Sequence, residues 1–398
     1  MPAREPRRMS TATSAAPPPP GPLTGFTVGV TADRRREELT ALLGRRGATV
    51  VAVPALRIVT LSDDALLRRA TEECLAGLDY VIATTGVGWR GWMSAAEGWG
   101  LGGALVTVCR QAALVSRGPK AAGALRASGL RETYAPESEA LDDVLAWLLA
   151  KDLRGRRIAV QEHGGALPEF TAALRERGAH VVAVPVYRWG PPQDPGALRR
   201  LVEQTARREV HALPFTSAPA IEAFLAAAQE SGRRAEVLDA LRGEVLSVCI
   251  GPVCARPLLA ADVPCVWPDR GRLGALVRTL VAELTVRGRR EIPTAAGPLV
   301  LQGAAVLAGG TALRLPPVPA AVLRALAERP GTVLSRGELL RAVWGGGTSP
   351  GPGAGGRSRV PDEHAVEAAV GRLRGALGAH GAVVQTVTKR GYRLAVAP

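Results

Sequence analysis

Gly47-Ala-Thr-Val-Val-Ala-Val-Pro-Ala-Leu-Arg57 returns as Gly178-Ala-His-Val-Val-Ala-Val-Pro-Val-Tyr-Arg188, 131 residues further along the chain. Its neighbours return in the same order. Val28-Gly-Val30 matches Ile158-Ala-Val160, Ala83-Thr84-Thr85 matches Phe215-Thr216-Ser217, Val115-Ser-Arg-Gly118-Pro119 matches Val248-Cys-Ile-Gly251-Pro252, and Ala135-Pro136-Glu137 matches Trp267-Pro268-Asp269, at offsets between 130 and 133. An ordered set at nearly constant spacing marks a duplicated domain. Each copy alternates short β-branched runs with helical stretches such as Arg34 to Arg46 and Glu169 to Arg177. Strands separated by helices predict α/β folding on parallel sheets, in two lobes.

In such sheets ligands bind beyond the carboxyl ends of the strands, where loops enter helix N-termini. The matched pairs Thr84-Thr85, Thr216-Ser217, Gly118-Pro119 and Gly251-Pro252 fall at those junctions. Proline in a first helical turn, with free N–H groups beyond it, makes a cradle for anions. Two facing lobes of this kind would hold a carboxylate-bearing ligand between them. The plainer alternative for any one junction is a cap or a turn; four matched junctions favour a cleft.

Residues 335–394 follow another pattern. Ser335-Arg-Gly-Glu338 has the form of a capping box, opening the apolar helix Leu339 to Trp344. A second helix starts near Asp362, with Val366, Val370, Leu373 and Leu377 on one stripe and Gly378 placed to end it. The opposite face carries His364, Ala368, Gly371 and Gly375. Two glycines in a helix interior cost about 1 kcal/mol each, a cost that suits a helix pressed into a major groove, with Arg372 and Arg374 flanking it to reach phosphates or guanine edges. Val383 to Val387 and Tyr392 to Val396 form a hairpin tipped by Thr388-Lys389-Arg390-Gly391. This is the pattern of a winged helix-turn-helix, and double-stranded DNA is the expected partner. The alternative is a solvated helix with incidental arginines.

Composition agrees. The formal net charge is +14, and residues 287–398 hold 15 Lys and Arg against 6 Asp and Glu, an asymmetry that points to a polyanionic partner. No apolar run of about 18 residues exists, so no membrane span is expected. The first 22 residues, ending Pro17-Pro18-Pro19-Pro20-Gly21-Pro22, lack an apolar signal core and read as a disordered leader, with Met9 an alternative start to Met1. The five cysteines show no CxxC spacing and the histidines do not cluster. Core thiols in a reducing cytoplasm are expected, and no metal site.

The C-terminal segments Leu334 to Trp344, Val366 to Arg374 and Thr386 to Leu394 resemble the winged-helix effector domain of OmpR/PhoB-type regulators, over about residues 297–397. That resemblance implies a leading hairpin from Leu299 to Leu315 turning at Gly309-Gly310. It puts Arg372 and Arg374 on the recognition helix, and Lys389, Arg390 and Arg393 on or beside the wing. The loop that touches RNA polymerase or another regulator in that family corresponds to Gly345 to Pro361, here long and rich in Gly and Pro.

The duplicated region, about 23–286, resembles uroporphyrinogen-III synthase, which cyclises the linear tetrapyrrole hydroxymethylbilane while inverting its last ring. Leu23 to Thr31 is similar to its opening strand, Phe215-Thr-Ser-Ala-Pro-Ala220 to its Ser/Thr loop, and Ile250-Gly-Pro-Val-Cys-Ala255 to its Ile-Gly-Pro-x-Thr-Ala segment. The resemblance implies crossings at 53–54 and 184–185. One lobe would then combine 23–53 with 188–286, the other would span 57–184, and 287–296 would be a linker. It further implies a ligand with eight carboxylates, no metal or organic cofactor, and Tyr187 as the acid candidate. Thr84, Thr85, Gly118, Pro119, Lys120, Thr216, Ser217, Gly251, Pro252 and Cys254 would bind substrate. Cys254 stands where the family carries a threonine, and Ala121 departs likewise, which weakens carboxylate binding there.

Two functions follow as expectations. The first is a transcription regulator whose synthase-like region is a sensor or a docking platform. It resembles actinobacterial fusions that regulate nitrate and nitrite assimilation. The second is a working uroporphyrinogen-III synthase with an added DNA-binding domain.

Overall fold

The computed structural model describes residues 20–61, 65–344 and 362–397. The leader to residue 19 and the Gly345–Pro361 loop lie outside the described residues. The chain opens with β1 (Thr27–Val30), α1 (Arg36–Gly44) and β2 (Thr49–Ala52). It then crosses to build β3 (Arg57–Thr60), α2 (Ala65–Cys74), β4 (Tyr80–Ala83), α3 (Gly86–Gly98), α4 (Gly102–Gln111), β5 (Ala113–Ser116), α5 (Pro119–Ala127), α6 (Leu141–Leu149), β6 (Arg157–Gly164), α7 (Pro168–Glu176) and β7 (His180–Gly190). It returns through α8 (Pro195–Ala206), β8 (Ala212–Phe215), α9 (Ala218–Glu230), α10 (Arg234–Arg242), β9 (Leu246–Cys249), α11 (Pro252–Leu259) and α12 (Leu273–Gly288).

Lobe one is a four-stranded parallel sheet in the order β2-β1-β8-β9. Lobe two is five-stranded, in the order β3-β7-β6-β4-β5. Its central strands are parallel, while β3 runs antiparallel to β7 because the entering and leaving strands pair side by side. Strand residues are buried on both faces, Ile158 and Val160 in one cluster and the intervening Ala159 in another, which fits parallel sheets covered by helices. Each apolar cluster of this region stays within one lobe.

One boundary differs from expectation. β7 continues through Val184-Pro185, since its far half pairs with β3 from Tyr187 to Gly190. The second crossing therefore follows Gly190. The proline is accommodated beside a register shift between Glu162 and Gly164 of β6.

The expected linker at 287–296 is also structured. Gly288 ends α12, and Arg289 begins β10 (Arg289–Ile292) without an intervening residue. Then come β11 (Leu299–Gln302), β12 (Ala305–Ala308) and β13 (Thr311–Arg314), all antiparallel, with the last turn at Gly309-Gly310. Helices α13 (Pro317–Glu328), α14 (Arg336–Trp344) and α15 (Glu363–Leu377) follow, then a 3-10 turn and the hairpin β14 (Val384–Val387) and β15 (Gly391–Leu394). Sequence patterning missed α13, whose Val322, Leu323 and Leu326 share a core with Leu339, Val366, Val370, Leu373 and Leu377.

Candidate functional site: an interlobe cleft and a nucleic-acid interface

The matched junctions occupy strand-to-helix turns as expected, but their polar atoms divide into two groups. The Thr84 hydroxyl donates to the Gln161 carbonyl at 2.9 Å, and it is buried. Thr85 caps α3 by accepting from the Gly88 N–H at 3.1 Å, and also accepts from Gln161 Nε2 at 3.0 Å. The Cys254 thiol donates to the Phe215 carbonyl at 3.5 Å and is buried. These three are committed to internal bonds. Gly118 and Gly251 are N-caps with extended backbones, followed by Pro119 and Pro252 in the first turns of α5 and α11. Lys120 is exposed, and Thr216 and Ser217 are half-buried. Ser217 is the N-cap of α9 and makes no side-chain capping bond.

Tyr187 lies on β7 and is only 7% exposed. Burial raises its pKa, while its hydrogen bond to Thr85 and the charges of Arg117 and Arg34 pull the other way. A phenol with a raised pKa is a weaker proton donor at neutral pH.

Between the lobes lies a cavity of about 210 Å³, lined by Arg117, Glu139, Asp142 and His163 of lobe two and by Val253 and Arg256 of lobe one. Across its mouth, Arg256 of α11 pairs with Asp142 of α6 at 3.0 Å. Desolvation lowers the Arg117 pKa, with Tyr187 and Glu139 opposing; no carboxylate forms an ion pair with it among the described residues. Burial, then the Arg117 charge, push His163 down to about 4. Its Nδ1 has no partner among the described residues. A half-buried cation with no carboxylate at ion-pair distance, beside a neutral imidazole, can accept a carboxylate.

None of the residues expected to bind substrate lines this cavity. Its cations were missed, although Arg117 directly precedes the matched Gly118-Pro119 and Arg256 lies one turn into α11. The repeat drew attention to what the copies share, and Arg117 is replaced by Ile250 in the second copy.

The nucleic-acid face is built around α15. Asp362 caps it by accepting from the Ala365 N–H at 3.2 Å. Its apolar stripe is buried, Val366, Val370, Leu373 and Leu377 being at most 1% exposed. His364, Ala368, Gly371 and Gly375 face outward. A Cβ at Gly371 or Gly375 would meet nothing within 4 Å, so the protein's own packing does not demand glycine there. His364 sits 3.6 Å from Glu367, which pairs with Arg336 at 2.9 Å.

The two arginines of α15 separate. Arg372 is exposed and has no partner among the described residues. Arg374 turns back to the hairpin, donating from Nε and Nη2 to the Val384 carbonyl at 2.9 and 2.7 Å and from Nη2 to Thr386 Oγ1 at 2.8 Å. In this arrangement Arg374 braces the hairpin, and a contact with DNA would require it to give up these bonds. Arg393 likewise donates to Gln385 Oε1 across the hairpin at 2.9 Å. Lys389 and Arg390 remain exposed at the tip. Gly391 closes that turn at φ 131°, and a Cβ there would lie 2.0 Å from the Leu334 carbonyl oxygen. The capping box at Ser335 forms as expected: its N–H donates to Glu338 Oε2 at 2.8 Å, and its Oγ accepts from the Glu338 N–H at 3.2 Å.

Residues 37–278 match the family model of uroporphyrinogen-III synthase HemD, and residues 310–394 match that of the transcriptional regulatory protein C-terminal domain. A mutant uroporphyrinogen III synthase from the extremely thermophilic bacterium Thermus thermophilus is 30% identical with a TM-score of 0.57, covering 66% of this chain and 99% of its own. The uncharacterised protein YjjA of Bacillus subtilis (strain 168) is 28% identical over 259 residues, 64% of this chain and 94% of its own. The transcriptional regulatory protein AfsQ1 of Streptomyces coelicolor is 34% identical over 142 residues, which is 34% of this chain and 56% of that protein. Among the described residues no helix is long and apolar enough to cross a membrane.

Proposed function

The chain belongs to the uroporphyrinogen-III synthase family and carries an OmpR/PhoB-type DNA-binding domain at its C-terminal end, and from that premise we propose a DNA-binding transcription regulator whose cleft senses a tetrapyrrole or related polycarboxylate. The observation that carries this reading is the outward face of α15. Small residues with open space above them, flanked by the unpaired Arg372 and the exposed wing tip Lys389-Arg390, form a surface shaped for a major groove and adjacent phosphates.

In the cleft, Arg117, His163 and Arg256 supply the chemistry for a carboxylate. The cavity is smaller than the roughly 300–1,000 Å³ of drug-sized ligand pockets. It admits one carboxyl-bearing arm, and a whole tetrapyrrole requires the lobes to part and the Arg256–Asp142 pair to break. Catalysis is less favoured, because Thr84, Thr85 and Cys254 already serve internal bonds and Tyr187 is a weakened acid. The proposed regulon is nitrate and nitrite assimilation, since that pathway uses sirohaem, a derivative of uroporphyrinogen III.

The test pairs two assays on the full chain. Freshly generated hydroxymethylbilane is scored for type III against type I product, beside Tyr187→Phe and a no-protein blank. Affinity for duplex DNA from upstream of its own operon is measured with and without uroporphyrinogen III. Spontaneous type I product together with a ligand-dependent change in affinity is expected. Type III product well above the blank would establish the synthase instead, and unchanged affinity at saturating ligand would remove the sensor role.

A further inference from the structure

The winged helix meets lobe one at a joint unlike the junction between the lobes. Gln302, at the end of β11, is 2% exposed, and its Nε2 donates to the carbonyls of Pro22 and Thr24 at 3.1 and 2.8 Å. The next turn closes the contact, with the Ala304 N–H donating to the Gly25 carbonyl at 2.8 Å. The backbones touch: a Cβ on Gly25 would lie 2.3 Å from the Gln302 carbonyl oxygen, and one on Gly303 would lie 2.4 Å from that of Gly25. The buried Phe26 ring covers Gly288, where α12 passes straight into β10. Phe26 also packs edge-on against His211, which accepts from the Thr27 N–H at 3.0 Å through Nδ1.

The lobes, in contrast, are linked among the described residues by two crossing segments, the Ile58 N–H to Asp33 bond at one of them, and the Arg256–Asp142 pair, both of whose side chains are more than half exposed. A buried amide holding two carbonyls between touching backbones resists displacement. An exposed ion pair between long side chains exchanges readily with water.

We propose that the winged helix and lobe one are one rigid body and that lobe two is the arm that moves. Strands β1 and β8 of lobe one begin beside this joint, at Thr27 and Ala212. Ligand state therefore reaches bound DNA as a change in where lobe two lies relative to it. The presentation of α15 and the wing stays the same. The ligand-dependent part of this inference rests on the sensor reading above; the rigid joint stands without it.

Hydrogen exchange on the intact chain tests both parts. Without ligand, the Ala304 amide is expected to be protected to within about tenfold of the β11–β12 ladder, as in one cooperative unit. Gln302→Met, which keeps volume but loses both donors, is expected to speed exchange at Ala304 at least about tenfold while the ladder at Val300 and Leu307 is unchanged. Exchange of the wild-type Ala304 amide at the rate of an open chain would overturn the joint, whether or not the variant folds. With uroporphyrinogen III added, changes are expected at the crossings, residues 53–57 and 190–194, and none at 302–305. Changes confined to 302–305 would place the hinge at the joint and refute the proposal. Absence of any binding by uroporphyrinogen III would remove the sensor reading and leave the joint decided by the ligand-free measurement.

Discussion

Arg372→Ala and Arg374→Ala, two residues apart on one helix, should fail in different ways. Arg374 makes three charge-assisted hydrogen bonds to the hairpin and lies 5.9 Å from the Tyr392 ring centroid. Hydrogen bonds to charged groups contribute about 1.5–3 kcal/mol each. Two of these converge on one carbonyl and the guanidinium is partly solvated, so they do not add. Truncation should cost the winged helix about 2–4 kcal/mol, lowering its melting temperature by roughly 8–32 °C at the usual 4–8 °C per kcal/mol of a small domain. Arg372 is exposed without a partner among the described residues, so its truncation should leave stability within about 0.5 kcal/mol and weaken DNA binding by about 1–3 kcal/mol. Scanning calorimetry of the full chain reads the first effect. Fluorescence anisotropy on duplex from upstream of its own operon, over roughly 50 to 200 mM salt, reads the second. An Arg374→Ala protein that melts like wild type yet no longer binds DNA would refute the assignment and return that side chain to the groove.

Three further outcomes are expected. His163 titrates at about 4 in the fold against 6.5 ordinarily, so its neutral form contributes fully above pH 6.5 and the contribution falls away as pH drops towards 4. About 2 kcal/mol should be gone by pH 5, seen as a falling urea midpoint; a midpoint that falls equally in His163→Gln would contradict this. Ser335→Ala removes the cap acceptor for Glu338 and should cost about 1 kcal/mol in chemical unfolding, whereas no change would mean α14 is held by packing alone. Replacing Lys389 and Arg390 together with alanine should reduce the slope of log affinity against log salt by about 0.9 for each phosphate no longer neutralised. An unaltered slope would show that the wing tip does not touch the backbone.

Much of this architecture is readable along the chain because its signals are short-ranged. The capping box at Ser335, the stripe from Val366 to Leu377 and the Gly309-Gly310 turn each depend on residues within a few positions, and each forms as read. The duplication is legible because both copies must bury the same strand faces. Helix α13 carries Pro317 and Pro319 in its first turn, where a missing N–H leaves no helical hydrogen bond unmade, so its start lacks the Ser/Thr/Asp cap that marks α14 and α15 in the sequence. The extension of β7 through Pro185 escaped because only pairing with the distant β3 keeps that segment extended.

By itself, then, the sequence determined two parallel α/β lobes, a winged helix after them, and the strand-to-helix turns that face a cleft. Tertiary structure alone decided which polar groups remain available at the interlobe turns and on the winged helix. Arg374 is drawn off by a carbonyl on the following hairpin, Thr84 by the carbonyl of Gln161 on a neighbouring strand, and Cys254 by that of Phe215. Arg117 and Arg256, far apart in the chain, line one cavity. A side chain's identity sets what it can donate, but folding sets which acceptor lies within about 3 Å of it, and that acceptor decides whether the group holds the fold together or meets a ligand.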